Sequence, residues 1–357
     1  MNVTDRVRPA LAGFEPYDPA FSPCRINLSA NENTHGMPEA FMAAVHEAMV
    51  ATPLNRYPDP MANALREALA SWHGVTTRNV CVGNGGDELL FNIALAWGGP
   101  GRTFLNMPPT FSVYVNNAQL TNTSIINVPR RADFKVDEDA VVERLAQGDI
   151  DYTIVTSPNN PTGDTVSDLL AKRMLEASDT LVMVDEAYFE FSRFTVRPLL
   201  EQFENLVILR TFSKAFSLAG VRLGYLLGSE AALREIKKVR QPYSVDAVSQ
   251  AIGRVIYENR AQFEPGIDAI IDERARVIEA LNALPGITAF DSQANYVLFR
   301  FDSSIDAGQV WQRLFDGGVL VRDFSRAKDL ENCLRVSIGT EAENTRFLDT
   351  LKQVVVG

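Results

Sequence analysis

Short runs of apolar, often β-branched residues alternate with segments of helical periodicity through the middle of the chain. These runs are nearly continuous instead of alternating with polar residues, which is typical of strands covered on both faces. We predict strands at 79–82, 102–106, 124–128, 152–156, 181–184, 206–209 and 223–227, and helices at 89–97, 137–147 and 167–178. This order predicts an α/β fold in which helices cover a mostly parallel sheet that has room for an antiparallel strand.

The pattern changes at about residue 244. A long helical stretch is predicted at 245–284, and strand-like runs follow at 296–301, 319–322 and 333–338. The first 45 residues are loop-rich and are expected to join this part. We therefore predict two domains: a large α/β domain from 46–243, and a smaller α+β domain from 244–357 together with 1–45 as an N-terminal arm.

Composition narrows the classes of protein. The 357 residues are 46% hydrophobic and carry a formal net charge of −11, so we expect a large core and no nucleic-acid partner. The three cysteines and three histidines lack the spacing of a disulfide framework or a metal site. No secretory signal and no membrane span are expected, which favours a cytoplasmic protein.

Candidate chemistry lies at the carboxyl ends of predicted strands, because ligands of open α/β sheets bind there. The segment Gly-Asn-Gly-Gly-Asp-Glu at 83–88 joins a strand to a helix. Its residues Gly85, Gly86 and Asp87 could surround a phosphate, since glycines admit close approach and helix N-terminal amides attract anions. A tight turn capped by Asp87 is the other interpretation.

A second candidate is Ser-Pro-Asn-Asn-Pro-Thr-Gly at 157–163, which follows a predicted strand. Two prolines in seven residues indicate a rigid loop that could aim the side-chain amide of Asn160. The bond before Pro161 could be cis, because cis peptides occur chiefly before proline. A purely structural turn remains the alternative.

Two ionisable residues complete the set. Asp185 directly follows a buried strand and needs a partner to offset desolvation: a metal, an arginine or a protonated ring nitrogen. For a metal only Glu186 offers itself, and strand geometry turns it to the opposite side. Lys214 follows another strand among apolar residues, where burial would lower its pKa and make it a nucleophile or base. Taken alone, such a lysine is more often a surface residue.

These features together match one cofactor. Pyridoxal phosphate carries a phosphate, a phenolic oxygen, a ring nitrogen and an aldehyde. Their counterparts in this chain are the possible phosphate-binding segment at 83–88, the side-chain amide of Asn160, the buried carboxylate of Asp185 and the amine of Lys214. The set therefore favours pyridoxal phosphate over a metal or a nucleotide.

The order of these motifs resembles that of fold-type I pyridoxal-phosphate-dependent aminotransferases, most of all the histidinol-phosphate aminotransferase family. The resemblance covers roughly 14–350. It is carried by Gly-Gly-Asp-Glu at 85–88, Ser-Pro-Asn-Asn-Pro-Thr-Gly at 157–163, Asp-Glu-Ala-Tyr at 185–188, Ser-Lys-Ala-Phe at 213–216 and Ala-Gly-Val-Arg at 219–222. Further matches are Leu-Ser-Ala-Asn-Glu-Asn at 28–33, Arg-Tyr-Pro at 56–58, Gly-Val-Leu-Val-Arg-Asp at 318–323 and Cys-Leu-Arg-Val-Ser-Ile-Gly at 333–339.

The resemblance implies a large domain with a mostly parallel seven-stranded sheet, a smaller α+β domain, and a role for each matching position. The implied catalytic residues are Lys214, which would hold the cofactor and move protons, Asp185, which would pair with the ring nitrogen, and Tyr188 at the phenolic oxygen. The other implied cofactor contacts are Asn160 at the phenolic oxygen, Phe111 stacked on the ring, and Gly85, Gly86, Asp87, Thr211, Ser213, Arg222 and, across a dimer interface, Tyr57 at the phosphate. The implied substrate contacts are Tyr17, Asn33, Arg322 and Arg335.

The chain departs from the family at two places. Many relatives carry tyrosine where this chain has Phe111, so stacking on the ring is kept and a hydroxyl is lost. Many also have proline after Asn33, where this chain has Thr34 and His35. The loop around Asn33 is expected near the substrate, so this second departure bears on substrate details.

The resemblance implies amino transfer between histidinol phosphate and 2-oxoglutarate, as in histidine biosynthesis, by a homodimer with shared sites. Arg222, Arg322 and Arg335 lie in strand-end contexts, so one can serve the cofactor phosphate and two can bind substrate anions. Alternatives of the same fold are an aromatic amino-acid aminotransferase and a threonine-phosphate decarboxylase, which is a lyase. A non-catalytic sensor would need an added DNA-binding domain, and a plain structural domain would bind no cofactor.

Overall fold

The computed structural model describes residues 3–8, 11, 14 and 22–356. The strands in this part of the chain are β1 (Ile26–Leu28), β2 (Val80–Asn84), β3 (Thr103–Asn106), β4 (Ser124–Asn127), β5 (Tyr152–Thr156), β6 (Leu181–Asp185), β7 (Leu206–Thr211), β8 (Leu223–Gly228), β9 (Ile287–Ala289), β10 (Tyr296–Phe301), β11 (Val319–Asp323) and β12 (Cys333–Ser337). They form one sheet of seven strands and one of five.

Helices connect and cover these strands. They are α1 (Glu39–Ala51), α2 (Asn63–His73), α3 (Gly85–Trp97), α4 (Val113–Leu120), α5 (Glu138–Leu145), α6 (Asp168–Ala177), α7 (Phe189–Ser192), α8 (Glu230–Val239), α9 (Ala247–Asn259), α10 (Glu264–Asn282), α11 (Ala307–Asp316) and α12 (Glu341–Val356). Side chains cap several N-termini by accepting a first-turn amide: Asp137, Ser167, Ser229, Asp246 and Asp306. Within the described ranges, no helix combines the length and apolar character that crossing a bilayer requires.

The larger sheet has the order β2-β8-β7-β6-β5-β3-β4. Only β8 runs antiparallel to its neighbours, so the other six strands are parallel to one another. Separate apolar clusters pack on its two faces, one of them against α3, α4 and α8. The predicted α/β fold with a mostly parallel, doubly covered seven-stranded sheet is confirmed.

The smaller sheet has the order β1-β11-β12-β10-β9. Its strands pair antiparallel except for β1, which pairs parallel to β11. Residues 26–28, which precede α1, are therefore built into this sheet. The sequence pattern did not reveal β1 or β9, because three residues are too few to show a period.

The helical stretch predicted at 245–284 is interrupted once in the structure. Two helices, α9 and α10, are separated by a short 3-10 segment at Arg260–Phe263. Pro265 explains the break, since proline is tolerated in the first turn of a helix but not in its interior.

We propose that the two sheets mark two domains, as the sequence suggested. Because α1 is unbroken from residue 39 to 51 and packs on α9, we move the first boundary from residue 46 to the end of α1. The second boundary stays near residue 244, before α9.

Candidate active site

A cavity of about 480 Å³ opens at the carboxyl ends of β5, β6 and β7, within the size range of small-molecule sites. Arg322 on β11 and Arg335 on β12 form part of its wall, so it lies between the two sheets. Twelve of the residues singled out from the sequence line it: Gly86, Asp87, Phe111, Asn160, Asp185, Tyr188, Thr211, Ser213, Lys214, Arg222, Arg322 and Arg335. The structure thus brings together residues that are spread over some 250 positions of sequence.

A second cleft, of about 570 Å³, lies at the opposite end of the large sheet. Its walls include Leu181 and Asn205, which lie where β6 begins and just before β7 begins. Ligands of parallel α/β sheets bind at the carboxyl ends of strands. We therefore take the first cavity as the candidate site.

Lys214 follows β7 and extends its amine into the cavity. Its Nζ donates to the carbonyl oxygen of Ala30 at 3.1 Å. Burial, with a further contribution from the positive charge of Arg335, lowers the pKa of Lys214 from 10.5 to about 8. The neutral amine, which is the nucleophilic and basic form, is therefore accessible near physiological pH.

Asp185 ends β6 and is 4% exposed. Tyr114 donates its hydroxyl to Oδ2 at 2.7 Å, and the backbone N–H of Ala187 donates to Oδ1 at 3.0 Å. Burial raises the pKa of Asp185 to about 6, although both hydrogen bonds act to lower it. In the described part of the chain, Asp185 forms no salt bridge, so a cation from a ligand would complete its surroundings.

The N-terminus of α3 and Arg222 form the positively polarised end of the cavity. Gly85 begins the helix with φ +75°, and a Cβ there would lie 2.8 Å from Nη2 of Arg222. Glycine is thus required for the guanidinium to approach the helix terminus. Arg222 Nη2 lies 2.7 Å from Oδ2 of Asp87, and the hydroxyls of Thr211 and Ser213 lie 2.9 Å apart beside them. Helix amides, a guanidinium and two hydroxyls are the donor set of a phosphate site.

Arg322 and Arg335 face the cavity from the small sheet. They are directly opposite each other in the β11–β12 ladder, so their side chains share one face. Arg335 donates to Oδ1 of Asn160 and, at 2.7 Å, to the carbonyl oxygen of Ser29. Arg322 has no ion-pair partner among the described residues. Two like charges side by side are unfavourable unless an anion joins them, which favours an anionic substrate.

Tyr188 and Asn160 line the cavity wall between Arg222 on one side and the Arg322–Arg335 pair on the other. The hydroxyl of Tyr188 accepts a hydrogen bond from Nδ2 of Asn31 at 2.9 Å. The bond between Asn160 and Pro161 is cis, as the sequence allowed. Phe111 packs edge-on against Tyr114, with 5.6 Å between ring centroids.

Three of the predicted residues that the structure describes do not line the cavity. Gly85 is in close contact with Arg222, whose guanidinium takes the place of a Cβ at this position. Asn33 turns its amide to the carbonyl oxygen of Ala215 at 2.9 Å. Tyr57 is 83% exposed and stacks on Tyr243, so within one subunit it does not reach the site. Tyr17 lies outside the described residues. The roles given to these residues stay predictions.

Several cavity residues were missed by the sequence interpretation. Tyr114 and Thr156 form hydrogen bonds around Asp185, and Asn31 contacts Tyr188. Glu32 places a further carboxylate in the lining. A weak signal existed for Asn31 and Glu32, because both belong to the Leu-Ser-Ala-Asn-Glu-Asn segment. Tyr114 had none, since its contact with Asp185 joins residues 71 positions apart.

The side chain of Glu186 makes its contacts on the other side of the sheet. It forms a buried ion pair with Arg210, with Nη2 and Oε2 2.7 Å apart. Asp185 and Glu186 therefore do not form a joint metal site. Throughout the described ranges, no cluster of three or more His, Cys, Asp or Glu side chains could hold a metal ion.

Comparisons with known proteins agree with this geometry. The family model for aminotransferase class I and II matches residues 25–351. Histidinol-phosphate aminotransferase 1 of Carboxydothermus hydrogenoformans is 38% identical over 355 residues, which cover 99% of this chain and 100% of that protein.

Two solved structures share the fold. Histidinol-phosphate aminotransferase from Sinorhizobium meliloti, in complex with pyridoxal-5'-phosphate, is 23% identical with a TM-score of 0.87, covering 99% of this chain and 98% of that one. L-threonine-O-3-phosphate decarboxylase from Porphyromonas gingivalis is also 23% identical, with a TM-score of 0.82 and coverage of 93% and 100%. At this identity both show the fold alone, which does not separate a transferase from a lyase.

The family model and the full-length relative confirm the assignment made from the motifs. Both extend over nearly the whole chain, including the segments that carry Asp185 and Lys214. The chain belongs to the class I and II aminotransferases and, within them, to the histidinol-phosphate aminotransferase family.

Proposed function

We propose that this enzyme uses pyridoxal phosphate to move an amino group between L-histidinol phosphate and 2-oxoglutarate. One observation carries the proposal: the Lys214 amine, the buried Asp185 carboxylate and the Arg222 guanidinium all line the same cavity. Each has the chemistry to bind a different part of the same cofactor.

The residues present fit this cofactor. Asp185 is a buried carboxylate held by neutral donors, which suits a protonated ring nitrogen. The helix terminus at Gly85, left open by the missing Cβ, and Arg222 suit the phosphate. Asn160 and Tyr188 offer hydrogen bonds to the phenolic oxygen, and Phe111 offers a ring to stack on. When bound, the cofactor supplies an electron-accepting ring that stabilises the negative charge formed at the substrate Cα.

Lys214 supplies the proton transfers. When its Nζ is not bound to the cofactor, it would serve as a base beside the substrate, because burial disfavours the ammonium form. It would remove the proton from the substrate Cα and give it up again within the same half-reaction, acting as general base and then as general acid. Ping-pong kinetics with one shared amino-group carrier follow from this order.

Arg322 and Arg335 account for the two substrates. Histidinol phosphate carries a phosphate, and glutamate and 2-oxoglutarate carry two carboxylates, so each brings an anion to the cavity. Arg335 is buried and already oriented by Asn160 and Ser29, which suits a bidentate carboxylate. Arg322 is free to turn toward a phosphate. The name of the full-length relative supports histidinol phosphate as the amino donor.

The test is product analysis with purified enzyme and pyridoxal phosphate. We expect histidinol phosphate to convert 2-oxoglutarate into glutamate with kcat/KM at least about tenfold above that for phenylalanine, because a phosphate offers two arginines more negative charge and more acceptor oxygens than the single carboxylate of phenylalanine. Faster reaction of phenylalanine would indicate an aromatic amino-acid aminotransferase. Release of carbon dioxide from threonine phosphate without consumption of 2-oxoglutarate would indicate a lyase.

We also propose a homodimer with shared active sites. Tyr57 is exposed although aromatic, and Met42, Met49, Val50 and Leu54 are exposed apolar side chains on or just after α1. A neighbouring subunit that covers them would explain this exposure and bring Tyr57 to a second site. A cytoplasmic location is part of the proposal, supported by three free cysteines.

A further inference from the structure

Tyr114 connects Asp185 to a chain of hydroxyl groups behind the cofactor site. Its side chain is 1% exposed, and its hydroxyl lies 2.7 Å from both Oδ2 of Asp185 and Oγ1 of Thr156. Thr110 lies 3.4 Å from Thr156 and donates to Oδ1 of Asn159 at 2.7 Å. A continuous path of hydroxyls thus runs from Asp185 to the loop that carries Asn160.

The direction of these hydrogen bonds follows from proton counting. An ionised carboxylate only accepts, so the single hydrogen of Tyr114 is donated to Asp185. Tyr114 can then only accept from Thr156, whose hydroxyl hydrogen is thereby used. The hydrogen of Thr110 is already donated to Asn159. With Asp185 ionised, each hydroxyl of this path therefore has an acceptor for its hydrogen.

The charges around Asp185 oppose ionisation. Burial is the main cause that raises the pKa of Asp185, and the charges of Asp87 on α3 and of Glu186, the next residue in the chain, raise it further. A side-chain hydrogen bond from Tyr114 on α4 lowers it, aided by the backbone N–H of Ala187. The Lys214 amine shares the cavity. In the described part of the chain, no cation pairs directly with Asp185.

We infer that Tyr114 is a positioning residue that keeps Asp185 ionised toward the ring nitrogen of the bound cofactor. Asp185 and that nitrogen share one proton, and its position decides how well the ring accepts electrons. A hydrogen bond to the ionised carboxylate favours the proton on nitrogen. Without it the carboxylate becomes more basic and the proton moves toward oxygen. This inference rests on the proposed function, because it assumes pyridoxal phosphate as the cofactor.

The test uses holoenzyme loaded with pyridoxal phosphate that is ¹⁵N-labelled at the ring nitrogen. The ¹⁵N chemical shift reports directly whether that nitrogen is protonated, which a purely structural role of Tyr114 would not change. In wild type we expect the protonated form. In Tyr114→Phe we expect the shift to move toward the unprotonated form, as the proton equilibrium changes by about tenfold or more.

Two further variants keep the test specific. Tyr152→Phe removes another buried tyrosine hydroxyl, at the amino end of β5 and four residues before Thr156, and should give the wild-type shift. Thr156→Val removes the donor to Tyr114 and should give a smaller shift of the same sign, because chained hydrogen bonds strengthen each other. If Tyr114→Phe fails to fold, Thr156→Val carries the test.

The outcomes separate this inference from the proposed function. If wild type does not bind pyridoxal phosphate, the proposed function itself fails. If wild type binds it with a protonated ring and Tyr114→Phe and Thr156→Val match Tyr152→Phe, the role of Tyr114 is overturned while the function stands. A graded shift, largest in Tyr114→Phe and absent in Tyr152→Phe, supports the inference.

Discussion

Lys214 and Asp185 carry opposite charges when ionised, and their shared cavity shifts the pKa of both. Burial is the first cause for both, because it disfavours whichever form is charged. It lowers the pKa of Lys214 to about 8 and raises that of Asp185 to about 6. Above about pH 8 the amine is mostly neutral while the carboxylate is ionised, which is the state that the proposed reaction requires.

The lowered pKa of Lys214 predicts how fast apoenzyme captures pyridoxal phosphate. Only the neutral amine attacks an aldehyde, so the rate should rise with pH and level off above about 8, the value for Lys214. An unperturbed lysine would keep gaining neutral amine up to about 10.4. Stopped-flow absorbance at a series of pH values measures this rate.

N-acetyl-lysine amide is the matched control, because its amine has no burial and its rate should continue to rise beyond pH 9. A rate for the apoenzyme that follows the same curve as this small molecule would contradict the lowered pKa. Loss of the fast phase in Lys214→Ala would assign it to this residue.

At the scale of single residues, the sequence predicted the groups that react better than those that support them. Lys214 and Asp185 could be found because each directly follows an apolar strand. Tyr114 could not, because its position depends on how α4 packs against β6. Asn33 and Asn31 lie two residues apart in the same motif, and only the three-dimensional path of the loop decides that Asn31 reaches Tyr188.

At the scale of elements, a buried ion pair ties the ends of β6 and β7 together behind the sheet. Glu186 follows Asp185, and Arg210 precedes Thr211, so the strand ends that present cofactor contacts on one face are joined on the other. The side chains of Glu186 and Arg210 are 1% and 4% exposed. Thr195 also contacts both, and Arg210 lies 3.6 Å over the ring of Phe189.

Removing one partner of this pair should destabilise the protein strongly. Arg210→Met leaves the Glu186 carboxylate buried without its cation, which we expect to cost about 3–5 kcal/mol in the free energy of unfolding. Urea denaturation followed by circular dichroism measures it. Arg78→Met is the control, because the Arg78–Glu230 pair is exposed and such pairs contribute under about 1 kcal/mol. Equal losses in both variants would refute the role of the buried pair.

The sequence predicted elements well where a pattern was long and continuous. Strands β5 and β10 have the predicted bounds, because each is an apolar run closed by turn residues or polar residues. The pattern at 245–284 did not show that this stretch holds two helices, because helical periodicity continues across the break before Pro265. Strands β1 and β9 could not be predicted, because they are stabilised by pairing with distant strands instead of by a local pattern.

At the scale of the whole molecule, the proposed dimer explains why apolar side chains lie exposed near α1. Leu54 is 79% exposed and close in sequence to Tyr57. A charge there would oppose burial against a partner. Leu54→Asp should therefore give a single subunit of 39.5 kDa by light scattering where wild type gives twice that mass, and should weaken binding of pyridoxal phosphate.

Leu169→Asp is the control, because Leu169 is also an exposed leucine, at 64%, but lies on α6 and far along the sequence from Tyr57. It should leave the mass unchanged. A wild-type protein that is fully active as a single subunit would contradict the shared sites.

We propose above all that Lys214 holds pyridoxal phosphate and that this cofactor carries the amino group between the two substrates. The most direct test of this proposal is the absorbance spectrum of the pure protein with pyridoxal phosphate, before and after adding histidinol phosphate and then 2-oxoglutarate. We predict a visible band that bleaches with histidinol phosphate and returns with 2-oxoglutarate, and that is absent in Lys214→Ala. A wild-type protein without this band, or a Lys214→Ala variant that retains and cycles it, would contradict the account.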